Sequence, residues 1–139
     1  MSGDQRNAQT VKRVLYVDDN EINLRVVAAL MEALGVAVTC CITPEEALEL
    51  LEHDAFDIVF TDIHMPKMSG FDVLCEVRRR PGPNRAAPVV ALTADLTRTR
   101  AQYCELGFDG VVPKPVALRP LAEVLLQCLA ANGRASAAA

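Results

Sequence analysis

The chain has 139 residues, 51% hydrophobic and 23% charged, with a formal net charge of -4. That length suits one domain of ordinary size, and a chain of this size buries roughly 68% of its unfolded surface, enough for a core without staples. The acidic balance argues against electrostatic binding to nucleic acid or an anionic membrane, and no apolar run approaches a membrane span.

Residues 1–11 are expected to form a disordered polar lead-in, and Met1 to Thr10 holds no hydrophobic signal region. Residues 13–17 form an apolar run that predicts a buried strand, β1. A helix, α1, is expected over 20–34, closed by Gly35. Residues 36–42 give β2, a mixed run that suits a sheet edge. Thr43 caps α2, Pro44 takes its first position, and Glu46 stands where a capping box needs an acid. Residues 57–61 give β3. Helix α3 opens at Ser69 or Gly70 and runs to Arg80, where Pro81-Gly82-Pro83-Asn84 stops it. Then come β4 over 88–92, α4 over 97–106, β5 over 109–112 and α5 over 117–131, ended by Asn132-Gly133. The Ala-rich tail over 132–139 is expected to be disordered. Five strands alternating with helices predict a parallel sheet covered on both faces, with right-handed crossovers.

Five cysteines occur, at Cys40, Cys41, Cys75, Cys104 and Cys128, an odd count without Cys-x-x-Cys or Cys/His ligand spacing. They fit reduced thiols in a cytoplasmic protein. A redox sensor is the rival reading, with only the count behind it.

Chemistry gathers where the strands end. Asp18 and Asp19 follow β1, Asp62 follows Ile58-Val59-Phe60-Thr61, Thr93 follows Val89-Val90-Ala91-Leu92, and Lys114 follows Val111-Val112-Pro113. In open α/β sheets ligands bind outside the carboxyl ends of the strands. Three carboxylates in one crevice repel, and a divalent cation removes that conflict. An all-oxygen set suits magnesium, which shares its shell with waters and phosphate oxygens. An aspartate can take a phosphoryl group as nucleophile, while Lys114 supplies a compact positive charge and Thr93 a hydroxyl donor. Any one of these aspartates alone fits a simple turn cap equally well; the set does not.

From Val14 to about Leu129 the chain resembles the receiver domain of two-component response regulators, of the kind also attached to hybrid histidine kinases. The matching residues are Val-Asp-Asp-Asn at 17–20, Thr-Asp-Ile-His-Met-Pro-Lys-Met-Ser-Gly at 61–70, Ala-Leu-Thr-Ala at 91–94 and Lys-Pro at 114–115. The resemblance implies a flavodoxin-like, doubly wound (βα)5 fold with strand order 2-1-3-4-5, and a receiver domain over 12–131. It implies that Asp62 accepts the phosphoryl group. Asp19 binds Mg2+ directly and Asp18 does so through water, with the main-chain carbonyl of His64 as a further ligand. Thr93 matches the switch hydroxyl and Lys114 the family lysine, with Lys114-Pro115 cis. Met65-Pro66 and Gly70 match the loop that shapes the pocket. The family's usual aromatic residue three before the lysine is missing here, since Val111 holds that place. His64 and Asp95 stand where the family tunes dephosphorylation.

Helix α1 carries two apolar stripes at helical spacing. Ile22, Val26, Ala29, Leu30 and Ala33 are expected to pack on the sheet. Asn20, Leu24, Val27 and Met31 are expected to face solvent and dock the partner, a histidine kinase or histidine phosphotransfer protein. Arg78-Arg79-Arg80 with Arg85 fits a solvated helix end. The rival readings are an interaction domain that takes no phosphate, a phosphatase with an aspartyl nucleophile, and a flavin carrier. The phosphatase lacks its second acid, because His64 stands two residues after Asp62. The flavin carrier lacks a Gly/Ser-rich loop after β1. Both a free-standing regulator and the receiver of a hybrid kinase remain open, and no output domain is expected after α5.

Overall fold

Short apolar runs pair in parallel to build the sheet: β1 (Arg13–Val17), β2 (Ala37–Cys41), β3 (Ile58–Asp62), β4 (Val89–Thr93) and β5 (Gly110–Pro113). The computed structural model describes residues 11–95 and 97–138, with side chains to Ala130. The strand order is β2-β1-β3-β4-β5, as expected. Every residue of the central strands β3 and β4 is buried, while β2 at the edge buries only Cys41. A parallel strand covered on both faces needs this near-continuous hydrophobicity.

Alternation along each strand splits the core into two layers. Leu15, Val17, Val59, Val89 and Ala91 face α2 (Pro44–His53), α3 (Gly70–Arg79) and α4 (Arg100–Glu105), packing on Leu48, Val73, Leu74 and Tyr103. Val14, Tyr16, Ile58, Phe60, Val90 and Leu92 face α1 (Glu21–Ala33) and α5 (Leu118–Ala138), packing on Leu24, Met31, Leu121 and Leu125. Each fully buried Val, Leu, Ile or Phe contributes about 1.5–3 kcal/mol.

The structure reverses the two stripes of α1. Leu24, Val27 and Met31 are buried, whereas Ile22 and Val26 are 73% and 53% exposed. Helical spacing marks an apolar stripe without saying which one meets the sheet. Here the groove beside Tyr16, Phe60 and Leu121 takes Leu24, Val27 and Met31. The expected docking set is therefore core, apart from exposed Asn20, whose side chain caps α1 by accepting from Asn23 N–H.

Smaller differences have local causes. Helix α4 starts at Arg100, later than expected, because Thr99 and Gln102 form a capping box there. The box expected at Thr43 is only half made: Thr43 accepts from Glu46 N–H, but Glu46 Oε1 accepts from Ile42. The backbone of α5 runs on to Ala138, through Asn132-Gly133. Alanine is the best helix former and one interior glycine costs only about 1 kcal/mol. Of the expected lead-in, residues 1–10 lie outside the described residues.

Candidate functional site

The register brings the strand ends together. Val17 pairs with Thr61, which levels Asp18 with Asp62; Thr93 pairs with Pro113, which levels Ala94 with Lys114. β1 and β3 are neighbours while β2 lies outside β1, so the crevice opens at the topological switch point. One oxygen from each of Asp18, Asp19 and Asp62 lies within 4.8 Å of the others. Asp18 and Asp62 are buried and Asp19 is exposed. Oxygen donors alone, closely spaced and open on one side, fit a magnesium ion that keeps several waters.

Lys114 bridges the buried acids, with Nζ 3.2 Å from Asp18 Oδ2 and 3.0 Å from Asp62 Oδ1. Asp18 is almost saturated: Oδ2 also accepts from the Tyr16 hydroxyl at 2.8 Å, and Oδ1 accepts from Asn20 N–H at 2.9 Å. Asp62 has less support. Burial pushes its carboxyl above the usual range; hydrogen bonds from Lys114 and from the His64 backbone pull it down, and the Asp18 charge pushes it up. Burial and the Asp18 charge likewise raise the Tyr16 phenol, which stays protonated as a donor.

Thr93 is buried at the end of β4, and its Oγ1 accepts from Asp95 N–H at 2.9 Å. Asp95 is held below the usual carboxylate range by the Thr97 hydroxyl and N–H. Its Oδ2 lies 3.8 Å from exposed His64 Nε2, which spans the mouth of the crevice. Lys114-Pro115 is cis. Helix α3 abuts the acceptor loop at Gly70: a Cβ there would lie 2.6 Å from the Asp62 carbonyl oxygen and 2.9 Å from Ile63 Cα. Only glycine lets that helix start so close.

The structure brings Asp18, Asp19, Asp62 and Lys114 together and places Thr93 at the end of β4, beside β3 and β5. Tyr16 escaped sequence reasoning, although residues i and i+2 of a strand share a face, which points its hydroxyl at Asp18. The arginine cluster is structural: Arg78 donates to the Arg85 and Ala87 carbonyls and to Asp109, and Arg80 to Glu76 and Glu52. No helix among the described residues is long and apolar enough to cross a membrane. All five cysteines are free, and burial pushes the Cys41 thiol up to about 12 and Cys128 up to about 11, against thiolate reactivity at those two positions.

Comparison with known proteins agrees with this geometry. Residues 14–126 match the response regulator receiver domain. The aerobic respiration control sensor protein ArcB of Escherichia coli (strain K12) is 34% identical over 112 residues, covering 81% of this chain and 14% of that protein. The sensory/regulatory protein RpfC of Xanthomonas campestris pv. campestris is 36% identical over 115 residues, covering 81% of this chain and 16% of that protein. The chain thus spans only a small part of these curated relatives. Among solved structures, Vibrio cholerae chemotaxis protein CheY4 superposes with a TM-score of 0.78 at 26% identity, covering 86% of this chain and 100% of that one. The receiver domain of the Pseudomonas aeruginosa PAO1 sensor histidine kinase PA1611, solved with magnesium in its active-site cleft, gives 0.77 at 26% identity, covering 87% of this chain and 99% of that one. This chain belongs to the response regulator receiver domain family.

Proposed function

We propose that Asp62 is the residue on which this receiver domain takes its phosphoryl group from a phosphohistidine donor. The observation that carries the reading is the pairing of a buried, weakly supported carboxylate with Lys114 Nζ at 3.0 Å, beside the oxygens of Asp18 and Asp19. An Asp62 carboxylate oxygen attacks phosphorus, and the phosphorus–nitrogen bond to the donor imidazole breaks. The electron pair stays on that nitrogen, which takes a proton, and the product is a mixed anhydride on Asp62. Asp18, Asp19 and Asp62, with the His64 carbonyl, would hold Mg2+. When bound, the ion neutralises charge on the transferred oxygens. Lys114 neutralises the other side and the Thr93 hydroxyl donates to a phosphoryl oxygen.

The chain works as a phosphorylated switch that passes its state on, without turning over a substrate of its own. Its partner is a histidine kinase or histidine phosphotransfer protein, and the setting is cytoplasmic. The exposed stripe of Ile22, Val26, Ala29 and Ala33 begins three residues after Asp19 and supports docking of a helical donor there. His64 and Asp95 set the lifetime of the phosphoryl group. The test is phosphotransfer from a labelled phosphohistidine protein with magnesium. Label on the wild type, dependent on magnesium and absent from Asp62→Asn, supports the reading. Label retained by the variant would mean another acceptor.

A further inference from the structure

The two edges of the sheet are built differently. At one edge, β5 is four residues long and ends in Pro113. Lys114 N–H donates to the Thr93 carbonyl, so Pro113 turns its nitrogen outward, where it has no N–H to offer another strand. At the other edge, β2 has five residues and pairs with β1 residue for residue, without a bulge. From Val36 to Ile42 the chain carries no charge and no proline. Val36, Val38, Thr39 and Ile42 are β-branched and favour strand pairing. Exposed edges usually carry a charge, a proline or a bulge that keeps other strands away, and β2 has none of these.

Alternation shows which main-chain groups are open. Ala37 N–H donates to the Lys12 carbonyl and the Cys41 carbonyl accepts from Asp18 N–H, so Ala37, Thr39 and Cys41 turn toward β1. Val38 and Cys40 turn their N–H and C=O groups away from the sheet, and among the described residues these groups have no hydrogen-bond partner. They lie symmetrically about Thr39. A two-fold axis at Thr39 sets Val38 of one copy against Cys40 of another, so that each open N–H meets an open carbonyl. It also sets Thr39 against Thr39, a cross-strand pair that stabilises antiparallel strands.

Helix α1 supplies an independent match. Arg25 and Glu32 are exposed on one side of the helix, two turns apart, and among the described residues neither has an ion-pair partner. That side borders β2: burial, and then the Glu32 charge, push the Cys40 thiol up. The helix starts after β1 and runs back toward the beginning of β2, so Arg25 stands nearer the carboxyl end of the strand and Glu32 nearer its amino end. The same two-fold axis brings Arg25 of each copy toward Glu32 of the other.

We propose that the β2 edge is the interface for a second copy of this chain, joined in antiparallel register about Thr39 into one continuous sheet. The pair closes on itself and leaves outside only the β5 edges, which Pro113 blocks. The pairing is independent of the role of Asp62. The test is sedimentation velocity on the full chain over a range of concentrations, with the melting temperature as the check on folding. Expected is a concentration-dependent dimer in the wild type. Val38→Pro removes an outward N–H that the sheet itself does not use, and should abolish the dimer. Arg25→Glu sets like charges together at both contacts and should weaken the dimer about tenfold, and Arg25→Glu with Glu32→Arg should restore it. In a Cys40→Ser background, Thr39→Cys should give a disulfide-linked dimer on mild oxidation, and Cys40→Ser alone should not. If Val38→Pro fails to fold, the charge reversal and its rescue decide. A wild type that stays monomeric at every concentration overturns the proposal and leaves the edge to a strand of a different protein. A dimer that survives both Val38→Pro and Arg25→Glu overturns it too, because another surface would then hold the copies together.

Discussion

Asn84 and Asp62 are both buried polar side chains in loops or strand ends of one sheet, and they are satisfied very differently. Asn84 lies between α3 and β4, at the end of the sheet away from the crevice. Its Oδ1 accepts from Phe56 N–H at 2.7 Å, and its Nδ2 donates to the Leu51 and Asp54 carbonyls at 2.7 and 2.6 Å. Those three bonds use nearly all that an amide offers, and they close the loop. Asp62 has Lys114 and one backbone N–H against its own desolvation and a neighbouring charge, so its carboxyl sits above the usual range. Polar groups that hold a fold are closed by their neighbours; those that do chemistry are left short of partners, and a ligand makes up the difference.

Replacing Asp62 by asparagine should have the largest effect, and in two directions. Phosphotransfer should vanish, read as loss of label. The metal-free protein should melt higher, because a buried charge is gone while Lys114 keeps Asp18. The pH dependence has a fixed sign. An acid whose folded-state pKa is raised costs stability fully above that pKa, less as pH falls, and nothing below its unfolded value. The stability gap between variant and wild type should therefore narrow as pH falls toward about 4. Magnesium should raise the melting temperature of the wild type and do little for the variant. An Asp62→Asn protein that melts lower without metal would break the comparison.

The opposite result is expected at Asn84. Asn84→Leu leaves an N–H and two carbonyls buried without partners, at about 3 kcal/mol in denaturant unfolding. Below its lowered melting temperature the variant should still be labelled at Asp62. If labelling fell as steeply as stability, the two ends of the sheet would not be separable.

How much of this was legible follows from where each residue stands. Asp18, Asp62, Thr93 and Lys114 end buried runs, and in a parallel sheet a run's end is a place in space as well as in sequence; that let four distant residues be joined without a structure. The alternation of strands and helices predicts a parallel sheet covered on both faces, while the strand order came with the family resemblance. The orientation of α1 was not legible, because Ile22-Val26 and Leu24-Val27-Met31 are both apolar at helical spacing and only packing against Tyr16 and Leu121 separates them. Asn84 read as a turn residue, since its three partners lie 28 to 33 positions away.

Tyr16→Phe makes a smaller cut between the two classes. The tyrosine gives Asp18 some of the closure that Asn84 enjoys, at 2.8 Å from Oδ2. Phenylalanine keeps the ring in the core and removes only the hydroxyl. Asp18 then keeps Lys114 and the Asn20 N–H but loses its fixed orientation. Magnesium binding, measured by calorimetry, should weaken about 10-fold, as outer partners of metal ligands commonly cost. Unchanged affinity would show that Lys114 and Asn20 orient Asp18 by themselves.

The smallest effect belongs to His64, which stands at the open side of the comparison. Its imidazole is 65% exposed and reaches Asp95 Oδ2 at 3.8 Å across the mouth of the crevice. An exposed pair at that distance contributes little, so only a small change in a rate is expected. In His64→Ala the mouth loses one wall and Asp95 loses its partner, so water reaches the acyl phosphate more readily. Loss of label from Asp62 should run about twofold faster, with phosphotransfer unchanged. Equal decay rates would place His64 outside the chemistry, and a slower decay would mean that the imidazole assists the water instead of excluding it. The open end of the sheet is thus expected to respond in rates where the closed end responds in stability, and His64 is where that distinction is most finely drawn.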